Sequence, residues 1–499
     1  MNTWFWRCGG VEIRRGITRG CLLLLLCLLG TVCSYGQDRS YVRVSPRDSR
    51  YFELSDGRAY IPIGLNMIAP FGRDEKEALA RMEDWMRRLS ANGGNFVRLW
   101  LSNPFFDIEH AKSGVYDEQK AKRIDAVLAM ARRYNIRVKM TLEHFRHLGD
   151  GRQTWAAKPI HHVSQGGPAK DIVDFFANPA SRKQFEGKIA WHAKRYGDDP
   201  TIFAWELWNE FNAVQKFGAA EMWLGDSAVA KDWTEAMLGA LHRHFPKNLA
   251  TQSQGSFDHE RKVELYRSLC TICNNDVAQV HRYLDLGARL EVCHGPVDVL
   301  TADAVSVLVG FDCAKPVLLA ESGAVEPGHS GPFKLYDEDK AGLILHDVLF
   351  APFFAGAAGA GQCWHWDHYV AKNDLWHQFG RFAEAVRGLD PPAERFRVAR
   401  IEHRRLRIYV LAGRRTFLAW CRDKQNTWRT ELAERKPPER LTGVALNLPV
   451  DLVPGGSSGR VRLYDPWANT WSEGRLQGGR VVLPSFSRSI VLRVEWGSR

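Results

Sequence analysis

The chain reads as an α/β protein, a (β/α)8 TIM barrel followed by a small C-terminal β-sandwich. Three observations predict this. Short apolar runs alternate with amphipathic helices up to residue 390. Several of those runs stop abruptly on polar residues, as buried parallel strands do at the open end of a barrel. Beyond Pro391-Pro392 the pattern changes to short alternating runs parted by turns such as Pro454-Gly455-Gly456 and Gln477-Gly478-Gly479. With 499 residues, 45% apolar and 25% charged, the chain has ordinary globular usage and enough length for a barrel plus a second module.

The first 36 residues stand apart. Arg7, Arg14, Arg15 and Arg19 precede an apolar stretch over 21–29, and Ser34-Tyr35-Gly36 offers small residues at the −3 and −1 positions. This is the layout of a secretory signal peptide with a long basic front. The apolar stretch is shorter than the roughly 20 residues that span a bilayer. We therefore expect a secreted or periplasmic protein with no stable membrane insertion once the leader is cleaved.

Within 37–390, residues 50–66 predict a hairpin turning at Ser55-Asp56-Gly57-Arg58 and feeding the first barrel strand. Residues 75–91 have helical periodicity, and 95–101 form the second strand. A helix over 117–134 leads to the third strand at 136–142, and one near 181–195 to the fourth, Ile202-Phe203-Ala204-Trp205 and onward. A helix near 219–245 precedes the strand at 249–254. Further strands fall at 277–283, 317–321 and 361–366, with a last helix around 375–389. Residues 395–499 predict the sandwich, about 100 residues as such modules usually have.

Part of the net charge of +11 lies in the leader, and the remaining basic residues are scattered. That excludes a nucleic-acid track. No Gly-x-Gly-x-x-Gly or Walker loop is present, and no cofactor is expected. Six cysteines follow the leader: Cys270, Cys273, Cys293, Cys313, Cys363 and Cys421. Export makes one or two disulfides plausible. Cys270-x-x-Cys273 with Cys293-His294 imitates a zinc site but lacks a partner motif for the fourth ligand, so no metal is expected.

The chemistry lies in two strand ends. Trp205-Glu206-Leu207-Trp208-Asn209-Glu210 closes the fourth strand, and Leu318-Leu319-Ala320-Glu321-Ser322-Gly323 the seventh. About 110 residues separate Glu210 from Glu321, which at about 30 residues per β/α unit is three units. Two carboxylates that face one another across a barrel mouth can split a glycosidic bond with neither metal nor cofactor. One attacks the anomeric carbon. The other protonates the leaving oxygen and later activates water, and their environments must set their pKa values apart.

On these motifs the stretch from about Tyr60 to Leu389 resembles a clan A glycoside hydrolase, specifically family 5, the cellulase and mannanase family. The resemblance implies a retaining β-glycosidase that hydrolyses a β-mannan or β-glucan type polysaccharide or oligosaccharide, with Glu321 as nucleophile and Glu210 as acid/base. It further implies that Arg98 lies beneath the nucleophile, where a guanidinium would hold it ionised. Glu206 would pair with Arg98. Asn209 would bond the sugar 2-hydroxyl, His144 would line the site, His281 would sit near the acid/base, and Tyr283 would donate to Glu321. The family's tryptophan platform falls on Trp364 or Trp366, with Trp364 favoured. Trp100, Phe105, Phe106 and Trp155 are candidates for flanking subsites, and His161-His162 reads as lid or surface. Phe211 departs from the proline many members carry, and the sandwich is not part of the minimal family fold. Exo-action, transglycosylation and a non-catalytic carbohydrate-binding barrel remain the alternatives, and Trp467 and Trp471 leave open whether the sandwich binds glycan or buttresses the barrel.

Overall fold

The first described structural element is a hairpin that plugs the barrel floor. In the computed structural model, which describes residues 39–144, 146, 159–197, 199–213, 227–453 and 459–497, β1 (Val42–Val44), β2 (Phe52–Leu54) and β3 (Ala59–Tyr60) form an antiparallel sheet. Phe52 meets Phe203 edge-on at 5.1 Å, and Phe203 meets Phe96 at 5.2 Å. The two barrel phenylalanines lie at strand beginnings, so this packing closes the end opposite the mouth. Residues 1–36, where a leader is expected, and Trp155 lie outside the described residues.

The barrel strands are β4 (Gly64–Asn66), β5 (Phe96–Trp100), β6 (Arg137–His144), β7 (Ile202–Asn209), β8 (Leu249–Thr251), β9 (Ala278–Leu284) and β10 (Val317–Ala324). β4 to β8 pair in sequence order, all parallel, and β9 pairs parallel with β10. Asp276 N–H donates to Ala250 O (2.9 Å) across the gap between the two sheets. The expected eighth strand at 361–366 is reduced to one residue: Cys363 makes parallel bridges to Leu65 on one side and Ser322 on the other, closing the ring. The strand is short because its neighbours press on it. A Cβ on Gly361 would lie 2.2 Å from Val348 O, and by Trp366 the backbone has entered a π-helical turn, Trp366–Ala371.

Helices cover the barrel, several of them where amphipathic periodicity predicts them. They include α1 (Glu75–Ala91), α2 (Glu118–Arg133), α3 (Ile172–Ala177), α4 (Pro179–Tyr196), α5 (Ser227–His244) and α6 (Lys262–Cys270). Asp74 caps α1 by accepting from Glu77 N–H (2.8 Å), and Asp117 caps α2 by accepting from Gln119 N–H (2.7 Å), each satisfying an otherwise orphaned donor. α3 and α6 were not expected, nor were two later helices, α7 (Val297–Val309) and α8 (Leu343–Phe354). α8 is buried at every position, because the barrel lies on one side of it and the C-terminal sheet on the other. A final barrel helix, α9, spans His377–Val386.

The C-terminal region is antiparallel. β11 (Arg397–Ile401), β12 (Leu406–Ala412), β13 (Thr416–Asp423), β16 (Ser489–Glu495), β14 (Arg460–Asp465) and β15 (Thr470–Gly474) lie side by side in that order, and smaller sheets form a second layer. Alternation divides the large sheet. Ile408, Val410, Phe417, Ala419 and Leu492 face the sandwich core, whereas Tyr409, Leu411, Leu418, Trp420 and Val491 join the barrel core. The six described cysteines are free thiols, so the anticipated disulfides do not form. Cys293 lies in a 3₁₀ turn, Cys363 on the barrel seam and Cys421 within β13, three separate parts of the fold. Among the described residues no helix is long and apolar enough to cross a membrane.

Candidate active site

Parallel strands point alternate side chains into the barrel, and at the mouth these are polar. Arg98, from the middle of β5, is fully buried. Its Nε donates to Glu206 Oε2 (2.7 Å) and Thr141 Oγ1 (3.2 Å), its Nη2 to Asn209 Oδ1 (2.6 Å), and its Nη1 to Asn66 Oδ1 (3.3 Å) and to Glu321 Oε1. One guanidinium thus ties four strands together. Glu206 is held deeper by Thr141 Oγ1 (2.5 Å) and Gln279 Nε2 (3.3 Å). Burial alone would raise its carboxyl, but Arg98 and then Lys139 outweigh that and hold it at about 2. Glu206 is therefore an anchored anion that keeps Arg98 in place.

Glu321 and Glu210 form the pair above this anchor. Tyr283 O–H donates to Glu321 Oε2 (2.7 Å). His281 Nδ1 lies 3.0 Å from Glu210 Oε1 and 3.4 Å from Glu321 Oε2, and the ligand atoms of these three residues all fall within 4.8 Å of one another. Burial lowers the imidazole to about 4, so the ring is neutral. Facing two carboxylates, Nδ1 must be the protonated nitrogen; Nε2 is buried with no hydrogen-bond partner among the described residues. Such a donor set has metal-ligand spacing, but the charge of Arg98 already stands against Glu321.

Glu210 reaches the mouth through its backbone. It has φ 47°, a left-handed conformation unusual for a residue with a Cβ, and its N–H donates to Ser253 Oγ (3.1 Å). The turn lifts the carboxyl over the end of β7. Its side chain is 15% exposed against 4% for Glu321.

Arg98 favours the ionised form of Glu321, as expected of a guanidinium beneath it, but it does not set the direction of the shift. Removal from water raises the carboxyl by more than His281, Arg98 and Tyr283 lower it, and Glu210 adds to the rise. Glu210 is raised too, again by burial first. The two are distinguished by their donors. Glu321 receives a guanidinium and a phenol, Glu210 only a neutral imidazole, so a proton shared by the pair rests on Glu210.

Residues 63–304 match the family model for Cellulase (glycosyl hydrolase family 5). Over this stretch the chain resembles glycoside hydrolase family 5, of clan A. It is 33% identical over 153 residues to mannan endo-1,4-beta-mannosidase 3 of Oryza sativa subsp. japonica, covering 28% of this chain and 31% of that one. It is 26% identical over 371 residues to mannan endo-1,4-beta-mannosidase 1 of the same plant, covering 63% and 78%. The chain spans 31%, 39% and 64% of the first three curated relatives it matches, in each case less than two thirds. A solved family 5 glycoside hydrolase from Bacteroides vulgatus has the same fold, with a TM-score of 0.57 at 13% identity over 92% of this chain and 94% of that one.

The other expected positions around this barrel divide. His144 stacks on Trp100 at 4.3 Å and pairs through Nδ1 with Ser102 Oγ (2.7 Å); burial lowers its ring to about 3. Trp364 lies against Trp100 at 4.9 Å and is only partly buried, whereas Trp100 and His144 beneath it are buried. Trp366 goes elsewhere: it packs on Trp85 and Phe71 and meets Trp364 edge-on, because the π-helical turn carries it off the mouth. Phe106 is core, at 0% exposure, and Phe105 lies under the Arg123 guanidinium.

His161-His162 are buried, not lid or surface. His161 lies 3.9 Å from Glu109 and 3.7 Å from Glu143, and Arg146 and Lys188 also reach Glu143. The Lys188 ammonium occupies the centre that a cation would take, which makes this a structural ion cluster. Sequence reasoning passed over Asn66, Thr141, Gln279, Ser253 and His329. The first three sit on the inward face of barrel strands that were recognised, so strand alternation could have found them. Ser253 and His329 lie in loops, where no periodicity marks them.

Proposed function

We propose that the protein is a retaining β-glycosidase that cleaves a β-mannan or β-glucan type glycan by double displacement. One observation carries this reading: the carboxylate oxygens of Glu210 and Glu321 approach within 4.8 Å. That spacing fits the roughly 5–5.5 Å of retaining sites and leaves no room for the water that an inverting site holds at about 6.5–9.5 Å. Glu321 attacks the anomeric carbon while Glu210 gives its proton to the leaving oxygen. Glu210, now ionised, then takes a proton from water as that water releases the sugar from Glu321. Asn209, whose Oδ1 is fixed by Arg98, keeps its buried Nδ2 free for the sugar 2-hydroxyl. Trp364 supplies an apolar floor for the ring.

The relatives favour β-1,4-mannan as the first substrate to try, since those cited above are mannan endo-1,4-beta-mannosidases. We read residues 1–36 as a cleaved leader, 37–390 as the catalytic barrel and 395–499 as a supporting sandwich, which places the protein outside the cytoplasm. N-terminal sequencing of secreted material beginning just after Gly36 supports that address.

The deciding experiment is a panel of β-mannan, β-glucan and their oligosaccharides with product sizing and anomer analysis. Release of β-anomers that vanishes in Glu321→Ala supports the reading, and the product sizes separate endo- from exo-action. Azide should partly restore Glu210→Ala on an activated aryl glycoside by attacking the glycosyl-enzyme and giving a β-glycosyl azide. Initial α-anomers, or an undiminished rate in either variant, would sink it.

A further inference from the structure

Around Glu210 the structure holds a chain of groups that the two-carboxylate reaction does not use. The loop after β10 closes on itself, with Val325 bridged to Pro332 and Glu326 N–H donating to Gly331 O (2.9 Å). At its tip His329 adopts φ 58°, a left-handed conformation that a residue with a Cβ keeps only when its surroundings hold it there. Its Nδ1 lies 2.9 Å from Asp285 Oδ2, and its Nε2 lies 3.0 Å from Ser256 Oγ.

Asp285, at the end of β9, has a side chain only 3% exposed and also accepts from Gly287 N–H (2.8 Å) and Gly328 N–H (3.0 Å). With that acceptor at Nδ1, the proton of a neutral ring sits on Nδ1, and Nε2 takes the Ser256 hydroxyl proton as a hydrogen bond. Ser256 is 7% exposed, and its carbonyl is gripped by Lys262 Nζ (2.6 Å), so it is a fixed post and not an open nucleophile.

The post belongs to the segment that carries Glu210. Ser253 Oγ accepts from Glu210 N–H, Ser253 O accepts from Phe211 N–H (3.1 Å), and Gly255 N–H donates to Asn212 Oδ1 (2.6 Å). Loop 253–257 therefore holds residues 210–212, and His329 ties that loop to the end of β9 and to the loop after β10. Burial raises the Glu210 carboxyl, Lys262 and Arg98 oppose that rise, and Asp258 reinforces it.

We propose that His329, set between Asp285 and Ser256, is the positioning residue of the acid/base: it fixes loop 253–257, and with it Glu210, on the leaving-group side of the site. This rests on the two-glutamate reading above and assigns one half of that reaction to a device outside the pair.

Leaving-group dependence tests it. Wild type, His329→Ala and Ser256→Ala are compared on phenyl and 2,4-dinitrophenyl β-mannobioside, or the β-cellobiosides if the panel selects glucan. Phenolate leaves poorly and needs the proton of Glu210; dinitrophenolate does not. The expected result for His329→Ala is a fall in kcat/KM of about tenfold on the phenyl glycoside, a fraction of what general acid catalysis supplies. On the dinitrophenyl glycoside kcat/KM should stay within about threefold while kcat and KM fall together, because water attack on the glycosyl-enzyme still needs Glu210 as base. Ser256→Ala, which leaves the His329–Asp285 bond intact, should show the same pattern more weakly and guards against a folding defect in the histidine variant. Equal loss on both glycosides, or no loss on either, overturns the proposal and leaves the two-glutamate reading standing. A wild-type protein inert toward both removes the reading and this proposal together.

Discussion

Two regions of the molecule bury acids against arginine, and they do it differently. At the seam between barrel and C-terminal sheet, Asp298 of α7 receives Arg407 Nε (2.5 Å), Arg407 Nη2 (2.8 Å) and Tyr409 O–H (2.7 Å) from β12, and Asp347 of α8 receives Arg422 Nε (2.8 Å) and Nη2 (3.2 Å) from β13. Each acid has its own guanidinium and both its oxygens are engaged. At the mouth, Arg98 is divided among Glu206, Glu321 and Asn209, and Glu210 and Glu321 face a single neutral imidazole. Closed pairs hold two layers together. The undersupplied cluster leaves protons and hydrogen-bonding groups for a reactant.

The largest effect that sharpens this contrast is at the pair itself. Glu210→Ala should cost about 10²–10⁴-fold in kcat, the span of general acid–base catalysis. Glu321→Ala should cost more, since no glycosyl-enzyme can form. Neither should lower Tm appreciably, because each variant relieves a raised, buried carboxyl. Assays on purified variants beside thermal melts check both halves. A melt that collapses with the activity would mean that the mouth, like the seam, is built for holding.

Next in size is the reverse case. Arg422→Ala strands Asp347 in a dry seam and should destabilise by about 3–5 kcal/mol, the range for removing one partner of a buried pair. Turnover measured well below the lowered Tm should match wild type, because the seam touches no reacting atom. If activity at low temperature falls with stability, the two regions are coupled and the contrast fails.

Tyr283→Phe should act on the mouth alone. It removes a donor to an ionised carboxylate, worth about 1.5–3 kcal/mol. It also moves the pH profile in a direction that can be stated. Under the proposed roles, the acid limb of kcat/KM should report ionisation of Glu321 and the alkaline limb loss of the Glu210 proton, both carboxyls being raised by burial. Tyr283 stabilises the ionised form of Glu321, so the variant raises that carboxyl further and shifts the acid limb to higher pH. A shift to lower pH, or a change confined to the alkaline limb, would place the phenol elsewhere in the reaction.

How much of this was legible in the sequence follows from which patterns survive packing. An apolar run that stops on Asn209-Glu210, or on Glu321, announces a strand end at the mouth whatever surrounds it. Arg98, amid Phe96, Val97, Leu99 and Trp100, was singled out through the family resemblance, not through periodicity. α8 was not. Its residues, Leu-Ile-Leu-His-Asp-Val-Leu-Phe-Ala-Pro-Phe-Phe, are apolar all round because both faces are covered, so neither helical nor strand periodicity remains. The eighth strand was drawn too long because Gly361 reads as an ordinary strand start when it marks a close approach to Val348. His161 read as a surface residue because its partners, Glu109, Glu143 and Lys188, are scattered along the chain and meet only after folding.

The smallest effect concerns what the C-terminal sheet is for. Trp467 and Trp471 suit a glycan platform by composition, yet their polar edges are spent on the protein. Trp471 Nε1 donates to Glu384 Oε1 (2.6 Å) on α9 and its ring packs on Tyr464 at 4.9 Å, while Trp467 Nε1 donates to Ser489 Oγ (2.9 Å) and its ring lies 4.5 Å from His346 of α8. Trp471→Phe keeps the apolar contact but deletes one partly buried hydrogen bond to a carboxylate, so stability should fall by about 1 kcal/mol. Retention on insoluble β-mannan, measured with Glu321→Ala as the background to stop turnover, should not change. Weakened retention at unchanged Tm would make the sheet a binding surface and end its description as the structural counterpart of the mouth.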